Sequence, residues 1–154
     1  MELGDLIALK GVVPQLRARN KKQALLELAA KAADITGIDA SLIFETILQR
    51  ERLGTTALGR GIAIPHGRVS GLDHVVTIFA RLDDPIDFDA TDGEPVDLLF
   101  LLLTPEHAGA DHLKALARIS RVLRDPLTTE KLRASRDRAV LYAVLTEPAA
   151  SHAA

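Results

Sequence analysis

One stretch of this sequence concentrates residues that handle phosphate. Gly54, Gly59, Gly61 and Gly67 fall within fourteen residues, and Arg50, Arg52, Arg60 and Arg68 bracket them with Glu51 the only acid among them. Backbone N–H groups freed by glycine and forked guanidinium groups both suit an oxyanion. A solvated basic loop is the competing reading, because surface charges are usually just hydrated. Within the stretch, His66 follows Ile62-Ala63-Ile64-Pro65 and precedes Gly67. Pro65 restricts the backbone ahead of the ring, and Gly67 leaves room for a bulky group. An imidazole near its unperturbed pKa of about 6.5 is largely neutral at neutral pH, so one nitrogen is free to attack phosphorus. A loop histidine held by a backbone hydrogen bond fits the same residues, and on these residues alone both readings stay open.

The other histidines carry weaker signals. His112 follows Asp111, read as a helix N-cap, and N–H groups at a helix start keep an imidazole neutral. His107 lies five positions earlier. With His66 and Asp111 these two offer a nominal zinc set, but no H-E-x-x-H or H-x-x-E-H pattern supports it. His74 and His152 read as surface residues. Gly59-Arg60-Gly61 starts like a dinucleotide fingerprint, but Ile64 stands where the third glycine belongs. No Gly-Lys-Ser/Thr completes a P-loop. Asp87, Asp89 and Asp92 miss calcium-loop spacing, with Leu98 where a bidentate Glu is required. The segment Asp83–Asp97 reads as a turn-rich acidic surface.

These residues need elements to position them. Residues 1–19 read as an irregular lead-in. Asn20 and Gln23 have capping-box spacing, and Ala24, Leu25, Leu28, Ala29 and Ala32 follow at helical intervals up to Gly37. Asp39 or Ser41 caps a second helix, with Leu42, Ile43, Ile47 and Leu48 inward, ending near Arg52–Gly54. The glycine-rich stretch reads as a loop, a short strand and a tight loop. Val75–Arg81 is rich in β-branched residues and predicts a strand, and Val96–Thr104 predicts a central strand covered on both faces. A third helix runs from Asp111 to Asp125-Pro126, with Leu113, Leu116, Ala117, Ser120 and Leu123 inward. Short helices near Thr129–Ala134 and Asp137–Leu145 follow, and the Pro148–Ala154 tail reads as disordered. Helices alternating with strands predict an α/β fold, one sheet with helices on both faces.

Composition narrows the function classes. The chain has 154 residues, enough for one domain with its own core. Hydrophobic residues make up 47% and charged residues 26%, which excludes a disordered chain. There is no cysteine, so disulfides and thiolate metal sites are excluded. The net charge of −2 and only five aromatic residues argue against a nucleic-acid partner. The longest apolar run, Leu98–Leu103, is far short of the roughly 20 residues of a membrane span. The acidic start lacks the basic region of a signal peptide, so a cytoplasmic location is expected.

Arg50–Val69, RERLGTTALGRGIAIPHGRV, resembles the signature of the phosphotransferase-system enzyme IIA family of the mannitol/fructose and nitrogen-regulatory type. PIDFDATDGEPVDLLFLLLTPE (Pro85–Glu106) and DHLKALARISRVLRD (Asp111–Asp125) resemble the same family in the same order. The resemblance covers residues 20–146, taken as the domain between the 1–19 lead-in and a 147–154 tail.

The resemblance implies the mixed-sheet enzyme IIA fold and a phosphohistidine relay. His66 of the IPHG motif would accept a phosphoryl group from a histidine phosphocarrier, with His112 and Arg50 in the same site. Thr56, Gly67 and Arg68 would support the phosphate, with Gly61 and Gly67 keeping side chains clear of the partner. No cofactor and no metal is implied, because the donor is already a phosphoramidate. The free-standing length looks most like the nitrogen-regulatory type, whose phosphorylation state governs targets such as ion-transport regulators or sensor kinases. A sugar-transport component that passes the phosphoryl group to a IIB domain is the alternative, and a non-catalytic interaction module is a remote one.

Overall fold

The structure, a computed structural model, describes residues 2–147. The expected disordered tail lies outside the described residues, apart from Glu147. The organising element is strand β6 (Val96–Pro105). Its nearly unbroken apolar run has no polar face to turn to water, so both faces must be covered. Leu99, Leu101 and Leu103 enter one core cluster, and Leu98, Phe100 and Leu102 enter the other. Helices α1 (Lys21–Thr36) and α2 (Ala40–Arg52) cover the first face. Helices α3 (Ala110–Arg124), α4 (Pro126–Ala134) and α5 (Arg138–Leu145) cover the second.

Strand β5 (Val76–Ile86) pairs antiparallel with β6, Phe79 opposite Phe100. It runs five residues past the predicted end at Arg81, through a register shift between Arg81 and Ile86. Part of the expected acidic turn region is therefore strand. On its outer side β5 pairs in parallel with β1 (Val12–Val13). The lead-in read as irregular thus contributes a strand and two turns of 3-10 helix, and it buries Leu3, Ile7, Val12 and Leu16.

The other side of β6 carries the glycine-rich stretch. Here β2 (Ala57–Gly59) pairs antiparallel with β3 (Ile62–Ala63), and β3 and β4 (His66–Val69) both pair in parallel with β6. Among the described residues the sheet therefore has six strands and is mixed. β3 and β4 are in effect one strand interrupted at Ile64-Pro65. Proline lacks the N–H that a central ladder needs, so the break falls there. His66 is the first residue after it, on a strand rather than in the predicted loop.

The helix caps follow local chemistry. Asn20 accepts from the Gln23 N–H at 2.9 Å, and Gly37 closes α1 at φ 76°. Asp39, not Ser41, caps α2, and Asp137 caps α5. Helix α3 starts from Gly109, so Asp111 is a first-turn residue and not the cap. Helix α4 starts at Pro126, earlier than predicted, because Asp125 caps it and proline fits a first turn.

Gly67 serves helix packing rather than partner access. A Cβ there would lie 2.8 Å from the Thr46 methyl of α2, whose rotamer is held by a hydroxyl bond to the Leu42 carbonyl. Gly67→Ala is expected to lower stability by about 1–3 kcal/mol through overpacking. Denaturant midpoints check this, and an unchanged midpoint would contradict it. Gly61, at φ 80°, likewise faces Arg133 and Asp97 rather than open surface.

Candidate active site

The break before β4 frees the Ile64 carbonyl from the ladder, and the His66 ring takes it. His66 Nδ1 lies 2.8 Å from that oxygen. A carbonyl only accepts, so Nδ1 carries the hydrogen. On the other edge, Arg50 Nε donates to His66 Nε2 at 3.3 Å. A guanidinium only donates, so Nε2 carries the lone pair. Both neighbours impose the same tautomer. Arg50 stands in the last turn of α2, where its charge complements the helix dipole, and its Nη1 donates to the Gly54 carbonyl at 2.9 Å.

His112 comes from the first turn of α3. Its ring centroid is 5.5 Å from that of His66, with planes tilted by 59°. It is only 8% exposed, and its Nδ1 lies 2.8 Å from the Thr104 hydroxyl. Beside the histidines is an open depression of about 390 Å³, lined in part by Arg50, Thr56, Leu58, His66, Leu113 and Ser120. Leu58 is 38% exposed and Leu113 66%.

The structure brings together His66, His112 and Arg50. Arg68 is exposed on β4, close enough for its charge to act on His112. Thr56 is buried against the site's rear. Its hydroxyl and N–H both donate to the Glu51 carboxylate, so it braces the turn after α2. Arg60 goes elsewhere, to a separate groove with Arg124 and Arg133. His107 is exposed, and His74 pairs with Asp73. Among the described residues no three His, Asp or Glu side chains converge to hold a metal.

Three contributors were missed by the sequence reading. The Ile64 carbonyl has no side-chain signal beyond Pro65 itself. Thr104 is a lone hydroxyl at the end of an apolar run. Of the α3 residues expected inward, Leu123 is buried and Leu116 packs partly on the core, while Leu113, Leu116, Ala117 and Ser120 line the depression and His112, Ala115 and Ile119 face inward.

The family model described as "Phosphoenolpyruvate-dependent sugar phosphotransferase system, EIIA 2" matches residues 6–147. The chain belongs to that family. EIIA 2 proteins are phosphotransferase components. A "Nitrogen regulatory protein" of Bradyrhizobium diazoefficiens is 58% identical over 153 residues, covering 99% of this chain and 100% of the relative. The crystal structure of nitrogen regulatory protein IIA-Ntr from Neisseria meningitidis superposes with a TM-score of 0.88 at 33% identity, over 94% of this chain and 99% of that one. IIA mannitol from Escherichia coli shares the fold, with a TM-score of 0.76 at 17% identity over 90% and 97%. Among the described residues no helix is long and apolar enough to cross a membrane.

Burial and nearby positive charge disfavour protonation of both imidazoles. His66 is held below its ordinary 6.5, chiefly by burial and further by the Arg50 charge, while the Ile64 carbonyl and Glu51 pull the other way. His112 is also lowered, by burial first, then by His66 and Arg68. A lowered histidine pKa means that the unfolded chain binds protons more readily than the folded one. Stability conferred by the neutral rings is therefore full above 6.5 and is lost as pH falls through the folded values. NMR titration is expected to place both midpoints below 6.5, and a midpoint above it for either ring would contradict the account.

Proposed function

We propose that His66 Nε2 accepts a phosphoryl group from a phosphohistidine of a phosphocarrier protein. The observation that carries this is the pair of hydrogen bonds that leaves Nε2 as the lone-pair nitrogen beneath a guanidinium. The lone pair forms the new N–P bond as the N–P bond to the donor imidazole breaks. The donor nitrogen regains its own lone pair. The product ring keeps its Nδ1–H, and the Ile64 carbonyl stabilises the positive charge that the ring acquires. Arg50 turns its donors from Nε2 to the equatorial phosphoryl oxygens. No metal or cofactor enters the step, because the donor bond is of the same kind as the bond formed.

The depression beside His66 suits a protein donor. It is open, and its rim offers the exposed Leu58 and Leu113. The output is regulatory in this reading. The phosphoryl group adds about −2 charges beside Arg50 and Arg68, which changes what the surface will bind. Targets such as ion-transport regulators or sensor kinases then distinguish the two states in the cytoplasm. The names of the relatives that span nearly the whole chain favour the nitrogen-regulatory role over sugar transport.

Intact mass tests the reading after incubation with phosphoenolpyruvate, enzyme I and a phosphocarrier. One acid-labile phosphoryl adduct is expected on the native protein and on His112→Ala, and none on His66→Ala. Absence of an adduct on the native protein would overturn the relay. Efficient onward transfer to a sugar-specific IIB domain would instead favour the transport role.

A further inference from the structure

Thr104 is fully buried on β6, at the end of a strand segment that is otherwise apolar from Leu98 to Leu103. Its hydroxyl lies 2.8 Å from His112 Nδ1, with no other hydroxyl partner among the described residues. A valine would fill the same space without burying a polar atom. The hydroxyl therefore has a chemical reason to be there.

A hydroxyl both donates and accepts, so the distance fits two tautomers of His112. In one, Nδ1–H donates to Thr104 and Nε2 bears a lone pair. In the other, Thr104 donates to Nδ1 and Nε2 bears the hydrogen. The surroundings separate them. The His66 ring is 5.5 Å away, and its Nε2 already presents a lone pair. A phosphoryl dianion on that nitrogen would repel a second lone pair and would accept from an N–H.

The geometry points to Thr104 as a positioning residue. It donates its hydroxyl hydrogen to His112 Nδ1 and so holds the Nε2–H tautomer, which donates to the phosphoryl group on His66. This rests on the phosphoryl-accepting role of His66. It makes His112 a fixed donor and assigns the strand, not the helix, as what fixes it.

Long-range proton–nitrogen NMR of the native protein tests the tautomer first. The expected result is a protonated Nε2 and a hydrogen-bonded, unprotonated Nδ1 in His112. A protonated Nδ1 would overturn the inference. The second arm uses Thr104→Val, of the same shape. Its Nδ1 signal should lose the hydrogen-bond shift, and the initial rate of His66 phosphorylation should fall about tenfold, the effect of one hydrogen bond to a charged group. Thr104→Ser restores the donor and should recover most of the rate. A native rate in a folded Thr104→Val would overturn the inference, as would a Thr104→Ser no faster than Thr104→Val. If the native protein takes up no phosphoryl group, the role of His66 fails instead, and the spectra still decide the tautomer.

Discussion

Arg50→Ala is expected to slow phosphoryl transfer to His66 by about 10²–10³, the usual effect of removing one preorganised donor from a developing oxyanion. Arg50 Nε donates to His66 Nε2 at 3.3 Å, and in the proposed transfer it would release that nitrogen as phosphorus arrives. The release is a short movement, because Nη1 stays anchored on the Gly54 carbonyl and acts as a pivot. The guanidinium then meets the phosphoryl oxygens with its fork already ordered. Arg50→Lys keeps the charge but loses the fork and the pivot, so it is expected to recover only part of the rate. Rapid-quench phosphorylation gives the rates, and thermal unfolding separates catalysis from folding. A native rate in Arg50→Ala would remove Arg50 from the mechanism.

Glu51→Ala is expected to cost about 3–5 kcal/mol of stability, as expected for breaking a buried ion pair on one side. Glu51 is 6% exposed and lies next to Arg50 in sequence. Its carboxylate takes Lys21 Nζ at 2.9 Å and both the N–H and hydroxyl of Thr56. One side chain thus ties the start of α1, the end of α2 and the turn into β2. Removing it leaves two buried donors on Thr56 unpaired, while Lys21 keeps only Asp89 at 3.2 Å and the face of Phe88. The negative charge also raises the His66 pKa, so its loss should move the His66 midpoint further down. Denaturant unfolding and histidine titration read the two effects. A Glu51→Ala as stable as the native protein would show that the pair does not hold these elements together.

The parts legible in sequence share a physical reason. The run Val96–Thr104 announced a strand covered on both faces because no residue in its middle could face water. Asn20, Gly37, Asp39 and Asp137 announced helix ends because a cap is a local interaction, decided by a few neighbouring residues. Strand β1 was hidden because two residues show no periodicity. On α3, Leu123 is buried as expected, but Leu113, Ala117 and Ser120 repeat at helical spacing as well as the buried Ala115 and Ile119 do, so the pattern alone does not separate the two faces. The pattern ranks histidine as polar, yet His112 is the buried residue and Leu113 the exposed one. Arg50 and Arg60 looked equivalent from spacing, and only the path of the chain sends one to His66 and the other to a separate groove. The motif singles out His66, but the ring contacts to the Ile64 carbonyl and, at His112, to the Thr104 hydroxyl are encoded by no motif.

One nitrogen of one histidine is proposed to be made the nucleophile by its neighbours. The most direct measurement is phosphorus–nitrogen NMR of the phosphorylated, nitrogen-labelled protein at alkaline pH, where the adduct survives. A single phosphohistidine is expected, on Nε2 of His66, with Nδ1 still bonded to the Ile64 carbonyl. Phosphorus on Nδ1 of His66, or on His112, would contradict it.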